Sequence, residues 1–223
     1  GNTDCYQPLE RKFKITRQLL QVFLKYRNPV SLITKNSLIL RDKDLLHELA
    51  KLNLVHVMVS INSLDETLRR NLEPRTATFK KRLKVVEELN TLGIPTGVMI
   101  APIIPGLNMH EIPNVVKAAA EAGAPKIGYN VLRLNGKVAE IFRNWMEAVY
   151  PNKVDKVWTH VQAMHGGQVN DSRFLKRMLG EGQMAEMVKQ MIDTAVAKYL
   201  PARNLPPYDL TKFRKGGMYS LWE

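Results

Sequence analysis

Four short apolar segments, each followed by a helical pattern, constrain the fold of this 223-residue chain more than any other feature. They are rich in Val and Ile and nearly free of charge, which is typical of parallel strands covered on both faces. The four segments are VSLIT (30–34), VHVMVSI (55–61), TGVMIA (96–101) and KIGYNVL (126–132). The residues after each segment place apolar side chains three and four apart, as in an amphipathic helix. This alternation predicts a parallel α/β sheet, either open or curled into a barrel.

The end of the strand–helix alternation divides the chain into two parts. Helical patterns are predicted at 9–26, 41–54, 78–92, 111–122, 137–149, 154–164, 172–179 and 183–199. The alternation stops near residue 152, which predicts a βα core at 1–152 and a mainly helical appendage with a basic tail at 153–223. Four parallel strands cannot close a barrel by themselves. Helix 9–26 also has no strand ahead of it, so the chain begins as though a preceding strand had been removed.

Composition narrows the classes of protein to which the chain can belong. It carries 33 Lys and Arg against 21 Asp and Glu, a net charge of +12. This excess suits a nucleic-acid or nucleotide partner, although solubility explains it equally well. No apolar run approaches the ~20 residues of a membrane span. Nothing at the amino end resembles a signal peptide, and the single cysteine excludes internal disulfides. These features predict a cytoplasmic protein.

Polar or small residues lie at the carboxyl ends of the predicted strands, where parallel α/β proteins bind ligands and carry out chemistry. Lys35 follows the first strand, Ser60 and Asn62 lie at the end of the second, and Ala101 ends the third. Ser60 and Asn62 are two apart and should therefore point the same way. Structural roles remain open for each: a lysine reaching solvent, side chains that cap a turn, and a rigid Ala-Pro loop.

The strand-end segments, taken as a set, resemble one protein family. The segments LITKN (32–36), VSINS (59–63), LEPRT (72–76) and APIIPGLN (101–108) resemble the radical S-adenosylmethionine (SAM) proteins related to spore photoproduct lyase. TDCYQPLERKFKITRQLL (3–20) is similar to an uncharacterised bacterial branch of that group. The resemblance runs from Thr3 to about Gly182.

The resemblance implies a fold, two cofactors and a reaction. Members of the family fold as a partial, six-stranded TIM-type barrel, bind a [4Fe-4S] cluster and cleave SAM reductively to a 5′-deoxyadenosyl radical. For this chain the implied fold class is α/β, a partial TIM-type (β/α) barrel with about four parallel strands and a C-terminal helical appendage. The implied function is that of a lyase-like radical SAM enzyme whose substrate the sequence does not specify.

The chain departs from the family at the cluster. The family holds its iron with a CxxxCxxC loop, whereas Cys5 is the only cysteine here, and one thiolate cannot replace three cluster ligands. The five histidines do not reconstruct a spaced ligand set either. We therefore expect the cluster ligands upstream of Gly1 in a longer protein, which leaves this chain alone inactive. A natural cluster-free relative is the alternative.

Within the resemblance, the strand-end residues acquire roles toward SAM. Lys35 would neutralise the SAM carboxylate, Ser60 and Asn62 would contact the ribose or methionine parts, and Ala101 would form the wall beside the adenine.

Two residues outside the strand ends are further candidates for SAM binding. Arg75 would grip a carboxylate bidentately, or else pair with Glu73. Glu10, or Asp4, would meet the SAM amino group, or else cap a helix.

The rival interpretation is a non-enzymatic, basic α/β module that binds nucleic acid. Six basic residues near one loop are candidates for phosphate contacts: Arg69, Arg70, Lys80, Lys81, Arg82 and Lys84. The tail mixes charged and aromatic residues as single-strand binders do: Lys212, Arg214, Lys215, Tyr208, Phe213 and Tyr219. A partial barrel also leaves a sheet edge through which the chain could associate with itself.

Overall fold

One parallel sheet forms the centre of the molecule. The computed structural model describes residues 3–174, 176–200 and 204–215. The strands are β1 (Val30–Thr34), β2 (Val55–Ser60), β3 (Thr96–Ile103) and β4 (Ile127–Val131), and they follow one another across the sheet in chain order. All four predicted strands are confirmed, because short runs of Val and Ile between turn residues favour this conformation.

Helices connect and cover the strands. In the described residues the α-helices are α1 (Glu10–Phe13), α2 (Ile15–Tyr26), α3 (Lys43–Lys51), α4 (Glu66–Leu72), α5 (Phe79–Thr91), α6 (Ile112–Glu121), α7 (Lys137–Val149), α8 (Val154–Met164), α9 (Lys176–Leu179) and α10 (Gly182–Tyr199). Short 3-10 turns lie at Ser37–Asp42, Met109–Glu111, Pro151–Lys153 and Leu210–Lys212. Helices α7 and α8 have the predicted bounds.

The single helix predicted at 9–26 is wrong, because the structure divides it into α1 and α2. Lys14 adopts a left-handed backbone conformation with φ 53°, which ends α1 and precedes α2. The helix predicted at 41–54 is likewise shorter, since it begins as a 3-10 turn and α3 ends at Lys51.

The two faces of the sheet differ in what they bury. Side chains alternate along each strand, so Leu32, Val57 and Val98 share one face and pack into the main core beneath the helices. On the opposite face, Met58 lies close to Gly97, where an added Cβ would approach its Sδ atom to 2.9 Å. The glycine thus makes room for the methionine.

The apolar segments predict strands that are buried on both faces. This prediction is confirmed for β2 but is wrong for β1. Ser31 is exposed and Ile33 is 52% exposed. The reason is topological, because β1 is an edge strand with β2 as its neighbour on one side.

The C-terminal helices share the main core with the sheet. Helix α10 packs against α6 and α8, and α9 lies against β4. Val188 and Ile192 of α10 belong to the same apolar cluster as Val115 of α6. The division at residue 152 therefore stays a prediction. No helix in the described ranges is long and apolar enough to cross a membrane.

The tail segment 204–215 docks at the end of the sheet where β1 and β2 begin. The Tyr208 ring stacks on His56 with centroids 4.0 Å apart, and its hydroxyl donates to the Val30 carbonyl at 3.2 Å. The Asp209 N–H donates to the Asn53 carbonyl.

We expect Tyr208→Ala to lower the free energy of unfolding by about 2 kcal/mol, because it removes both the stacking and the hydrogen bond. The matched variant Tyr208→Phe keeps the ring and should lose about 1 kcal/mol. Urea titration followed by circular dichroism measures both values. Equal stability of Tyr208→Ala and the parent chain would contradict docking of the tail.

Candidate functional site

The strand-end residues selected from the sequence lie in or directly after neighbouring strands of the sheet. Register pairs Ile33 with Met58, and Ser60 with Met99. Lys35 follows Ile33 by two positions, and Ala101 follows Met99 by two positions. Because alternate residues of a strand share a face, Ser60 and Ala101 belong to the face that carries Met58, and Lys35 lies directly after β1. We call Lys35, Ser60, Asn62 and Ala101 the strand-end cluster.

A buried carboxylate connects the first two strands of the cluster. Glu73 Oε1 accepts from Lys35 Nζ at 2.5 Å, and Glu73 Oε2 accepts from Arg82 at 2.8 Å. Arg82 also donates to the backbone carbonyl of Ser60 at 2.9 Å. The chain of contacts therefore runs from the end of β1, through the loop before α5, to the end of β2.

Arg82 is fully buried, with an exposed fraction of 0%. Besides Glu73 and Ser60, it donates to the Ala77 carbonyl and the Thr76 hydroxyl, and its guanidinium lies 5.0 Å from the centre of the Phe79 ring. Burying a guanidinium requires this many partners, since unpaired charge is costly in the interior.

The triad of Lys35, Glu73 and Arg82 carries a net charge of +1, because two cations share one carboxylate. Burial by itself would raise the pKa of Glu73, but the charges of Lys35 and Arg82 outweigh burial and hold that pKa below its ordinary value. Glu73 is therefore ionised at neutral pH, and the Lys35 side chain, 32% exposed, can still attract an anion.

Asp4 fixes the end of β1. Its carboxylate accepts from the Thr34 hydroxyl at 2.7 Å and from the Lys35 backbone N–H at 2.7 Å. It thus orients the backbone that carries the Lys35 side chain.

Asn108 connects the second and third strands of the cluster. Its Nδ2 atom donates to the carbonyls of Asn62 at 2.8 Å and Pro102 at 3.0 Å, and its Oδ1 atom accepts from the Ile104 N–H. The Asn108 side chain therefore holds the backbone of Asn62 next to that of Pro102. The Ala101–Pro102 peptide bond is cis.

The side-chain amide of Asn62 is a buried donor in the strand-end cluster that has no partner in the described part of the protein. Asn62 is 2% exposed, and its buried Nδ2 atom has no hydrogen-bond partner in the described residues. An unsatisfied buried donor costs about 1–3 kcal/mol. An acceptor from a bound molecule would recover this free energy.

The two remaining predicted residues lie elsewhere. Both carboxylate oxygens of Glu10 are in use, accepting from the Thr16 N–H of α2 at 2.7 Å and from Arg41 at 3.3 Å. This contact favours the capping alternative for Glu10. Arg75 is exposed and forms no ion pair with Glu73, because Lys35 and Arg82 occupy that carboxylate.

Cys5 does not resemble a metal ligand in its surroundings. Burial, followed by the charge of Asp4, raises the pKa of its thiol to about 11, so the thiol is neutral at pH 7. Across residues 3–174, 176–200 and 204–215, no three His, Cys, Asp or Glu side chains converge as a metal site would require. The described residues therefore do not fit a [4Fe-4S] cluster.

The structure corrects part of the proposed nucleic-acid surface. Arg69 and Arg82 are buried and cannot meet phosphates, since Arg69 pairs with Glu66 and Arg82 with Glu73. In the tail, Tyr208 packs on His56 and Lys212 pairs with Asp209.

The other four basic residues near the loop are exposed, and one of the tail residues is not described. Arg70, Lys80, Lys81 and Lys84 are exposed. Tyr219 lies outside the described residues.

The sequence pattern predicts Arg82 as a surface cation and indicates no role for Asn108. The signal for Arg82 was its position in α5, three residues after Phe79 and three before Val85, on the buried stripe of the helix. A charged residue on such a stripe indicates a buried partner. Asn108 had no comparable signal, because its contacts depend on the fold.

Comparison with known proteins agrees with this fold. Residues 1–119, more than half of the chain, match the family model of the Radical SAM superfamily. The chain therefore belongs to the Radical SAM superfamily, as the strand-end segments indicated.

Two curated relatives have no assigned function. An uncharacterized protein of Methanocaldococcus jannaschii is 31% identical over 153 residues, which cover 69% of this chain and 56% of that protein. An uncharacterized protein of Mycobacterium tuberculosis is 29% identical over 157 residues, covering 70% of this chain and 46% of that protein. The chain thus spans about half the length of the curated relatives that it matches.

Solved structures confirm the fold class. A variant of spore photoproduct lyase with bound AdoMet and dinucleoside spore photoproduct has a TM-score of 0.63 at 15% identity, over 86% of this chain and 55% of that one. Spore photoproduct lyase complexed with dinucleoside spore photoproduct has a TM-score of 0.60, also at 15% identity, over 83% and 53%. The partial α/β barrel with four parallel strands is confirmed.

We expect Glu73→Gln to lower the free energy of unfolding by about 3 kcal/mol, at the low end of the roughly 3–5 kcal/mol for breaking a buried pair. Arg82 would keep its carbonyl partners, which limits the loss. Glu121→Gln is the control, since Glu121 is 67% exposed in its pair with Lys117 and should cost about 0–1 kcal/mol. Similar losses in the two variants would contradict the structural role of the triad.

The same pair of variants should differ in pH dependence. The pKa of Glu73 in the folded chain lies below the value of 4.5 that it would have when unfolded. Its stabilising contribution is therefore complete above that value and is lost as the pH falls through the folded pKa. Denaturant titrations from neutral to acidic pH should give a shallower decline for Glu73→Gln than for Glu121→Gln.

Proposed function

We propose that the strand-end cluster binds SAM and that this chain is the SAM-binding part of a radical SAM enzyme. The observation that carries the proposal is the buried side-chain amide of Asn62, unpartnered among the described residues, with the Asn62 backbone held next to that of Pro102 by Asn108. An unpartnered donor of this kind, directly after a strand end, suits a ligand that carries several hydrogen-bond acceptors. SAM carries acceptors on its carboxylate, ribose and adenine.

The residues of the cluster fit different parts of such a ligand. The ammonium of Lys35, within a triad of net charge +1, would attract the carboxylate. Asn62 Nδ2 would donate to a ribose or adenine acceptor. The small side chain of Ala101 would leave room for a flat purine against β3. When bound, SAM would supply the 5′-deoxyadenosyl group on which the chemistry of the family depends.

The chain's own contribution is positioning. Asp4 orients the backbone of Lys35, Glu73 restrains its side chain, and Asn108 holds the ends of β2 and β3 together. Rigid support of this kind is what radical chemistry requires of a protein, because the bound molecule must be held in a reactive geometry.

We further propose that the cluster ligands come from a segment of the intact protein outside these 223 residues. Support comes from the single cysteine and from the length of the relatives, about half of which this chain spans. On this proposal the chain by itself does not catalyse the reaction.

An exposed apolar surface beside β1 offers a place for such a segment. Helix α2 buries Leu20 but exposes its second apolar face, and Ile33 of β1 is exposed nearby. Leu9, Phe13, Ile15 and Leu19 line a hollow of about 420 Å³ together with Cys5, whose thiol lies 3.9 Å from the Ile33 carbonyl.

A helix in a βα barrel packs over the strands that precede and follow it, and here β1 is the strand that follows α2. We propose a preceding strand as the natural occupant of the hollow. Self-association through the same edge is the competing possibility for the chain alone.

The substrate is proposed only as a class. The neighbouring spore photoproduct lyase is complexed with a dinucleoside, and this chain has a net charge of +12. Both support a nucleic-acid-like substrate. The rival, a non-enzymatic nucleic-acid module, loses support because two of the six basic residues proposed near its loop are buried ion-pair partners.

Lys35→Met is expected to weaken SAM binding about tenfold or more, because it removes a charge-assisted hydrogen bond to the carboxylate. The control is Lys51→Met, since Lys51 pairs with Glu48 at the opposite end of the strands. Isothermal titration calorimetry with SAM measures both affinities. Equal affinity in the two variants would remove Lys35 from the site.

The enzymatic proposal is tested on the intact protein that contains this chain. After anaerobic iron–sulfur reconstitution and addition of a strong reductant, we expect 5′-deoxyadenosine to form from SAM, and much less to form with Lys35→Met. Chromatography quantifies the product. A reconstituted, reduced protein that yields no 5′-deoxyadenosine would defeat the proposed activity.

A further inference from the structure

A polar cavity, distinct from the apolar hollow beside α2, gathers three cations next to the loop that carries Glu73. It has a volume of about 320 Å³, and Arg11, Arg75 and Lys81 line it. These residues come from α1, from the loop before α5 and from the first turn of α5. The fold therefore brings together positive charges that are far apart in the sequence.

None of the three cations is neutralised within the described part of the chain. No carboxylate lines the cavity, and the side chains of Arg11, Arg75 and Lys81 take part in no ion pair or hydrogen bond with the described residues. Like charges around one hollow repel each other, so this arrangement favours occupation by an anion.

Neutral donors complete the lining. Ser37 and Asn36 lie on the wall that follows β1. Asn36 Oδ1 accepts the Leu38 N–H, which leaves the amide nitrogen of Asn36 available to donate. Hydroxyl and amide donors beside guanidinium groups are typical of sites that bind phosphate oxygens.

The amino end of α5 also borders the cavity, but it adds little. The Thr78 hydroxyl accepts the Lys81 N–H, and the Glu66 carboxylate accepts the Phe79 N–H. Much of the hydrogen-bonding capacity of this helix end is thus already used. The side-chain cations, rather than the helix, are the basis for anion binding.

We propose that this cavity binds a phosphate group. Arginine presents a planar fork of donors that matches phosphate oxygens, and two of the three cations are arginines. The volume lies near the lower end of the roughly 300–1,000 Å³ that small-molecule sites occupy. It therefore leaves room for the group that carries the phosphate, as in a phosphate ester. No member of the strand-end cluster lines the cavity, so the site is separate from the proposed SAM site.

The test measures binding of two probes to this protein: inorganic phosphate, and a short single-stranded thymidine oligonucleotide. Lys81→Ala and Arg75→Ala should each weaken binding about tenfold. Each should also reduce the log–log salt slope of oligonucleotide binding by about 1. Lys80→Ala is the matched control, because Lys80 is the exposed neighbour of Lys81 in α5 and does not line the cavity. Circular dichroism verifies that all variants are folded.

Binding of either probe, with the loss confined to Lys81→Ala and Arg75→Ala, supports the site. Binding of the oligonucleotide alone identifies a phosphodiester as the source of the phosphate, and binding of inorganic phosphate identifies the free ion. Failure of both probes to bind, or an equal loss in Lys80→Ala, overturns the proposal. SAM titration of Lys81→Ala separates the two sites, since its SAM affinity should equal that of the parent chain whatever the outcome at the cavity.

Discussion

The two ion pairs that the buried carboxylate of Glu73 forms with Lys35 and Arg82 are the interactions on which the arrangement of the carboxyl ends of β1 and β2 depends. It links the end of β1 to the end of β2 through side chains that are largely withdrawn from water. In such surroundings a charge is tolerated only with close partners, so the loop that carries Glu73 has little freedom to move. The excess of one positive charge then remains available to an anionic ligand at Lys35.

Parallel register extends this constraint across the sheet. Pairing of Ser60 with Met99 fixes the register of β3 against β2. Asn108 then connects Asn62, just after β2, with Pro102 of β3. Asn62 thus retains a buried donor where the ends of β2 and β3 are held together. Membership of the Radical SAM superfamily is the reason for proposing SAM as the partner of this donor, while the geometry alone shows a buried donor without a partner in the described part of the chain.

The sequence predicted the strands well because their apolar runs are bounded by turn residues, and it predicted α7 and α8 from their period. It did not predict the break at Lys14, since a left-handed lysine has no local signature, and the Glu10–Thr16 contact that accompanies it forms between two helices. The role of Arg82 required knowledge of what faces α5. The stacking of Tyr208 on His56 joins residues far apart in the chain, which no periodicity could indicate.

The most direct test of the account follows the side-chain amide of Asn62 by nuclear magnetic resonance during titration with SAM. The account predicts a large, saturable shift of this NH₂ signal, with little change at Asn90, whose amide already donates to Val86 and Thr96 carbonyls. Saturation with SAM that leaves the Asn62 signal in place would contradict the claim that this amide donates to the ligand.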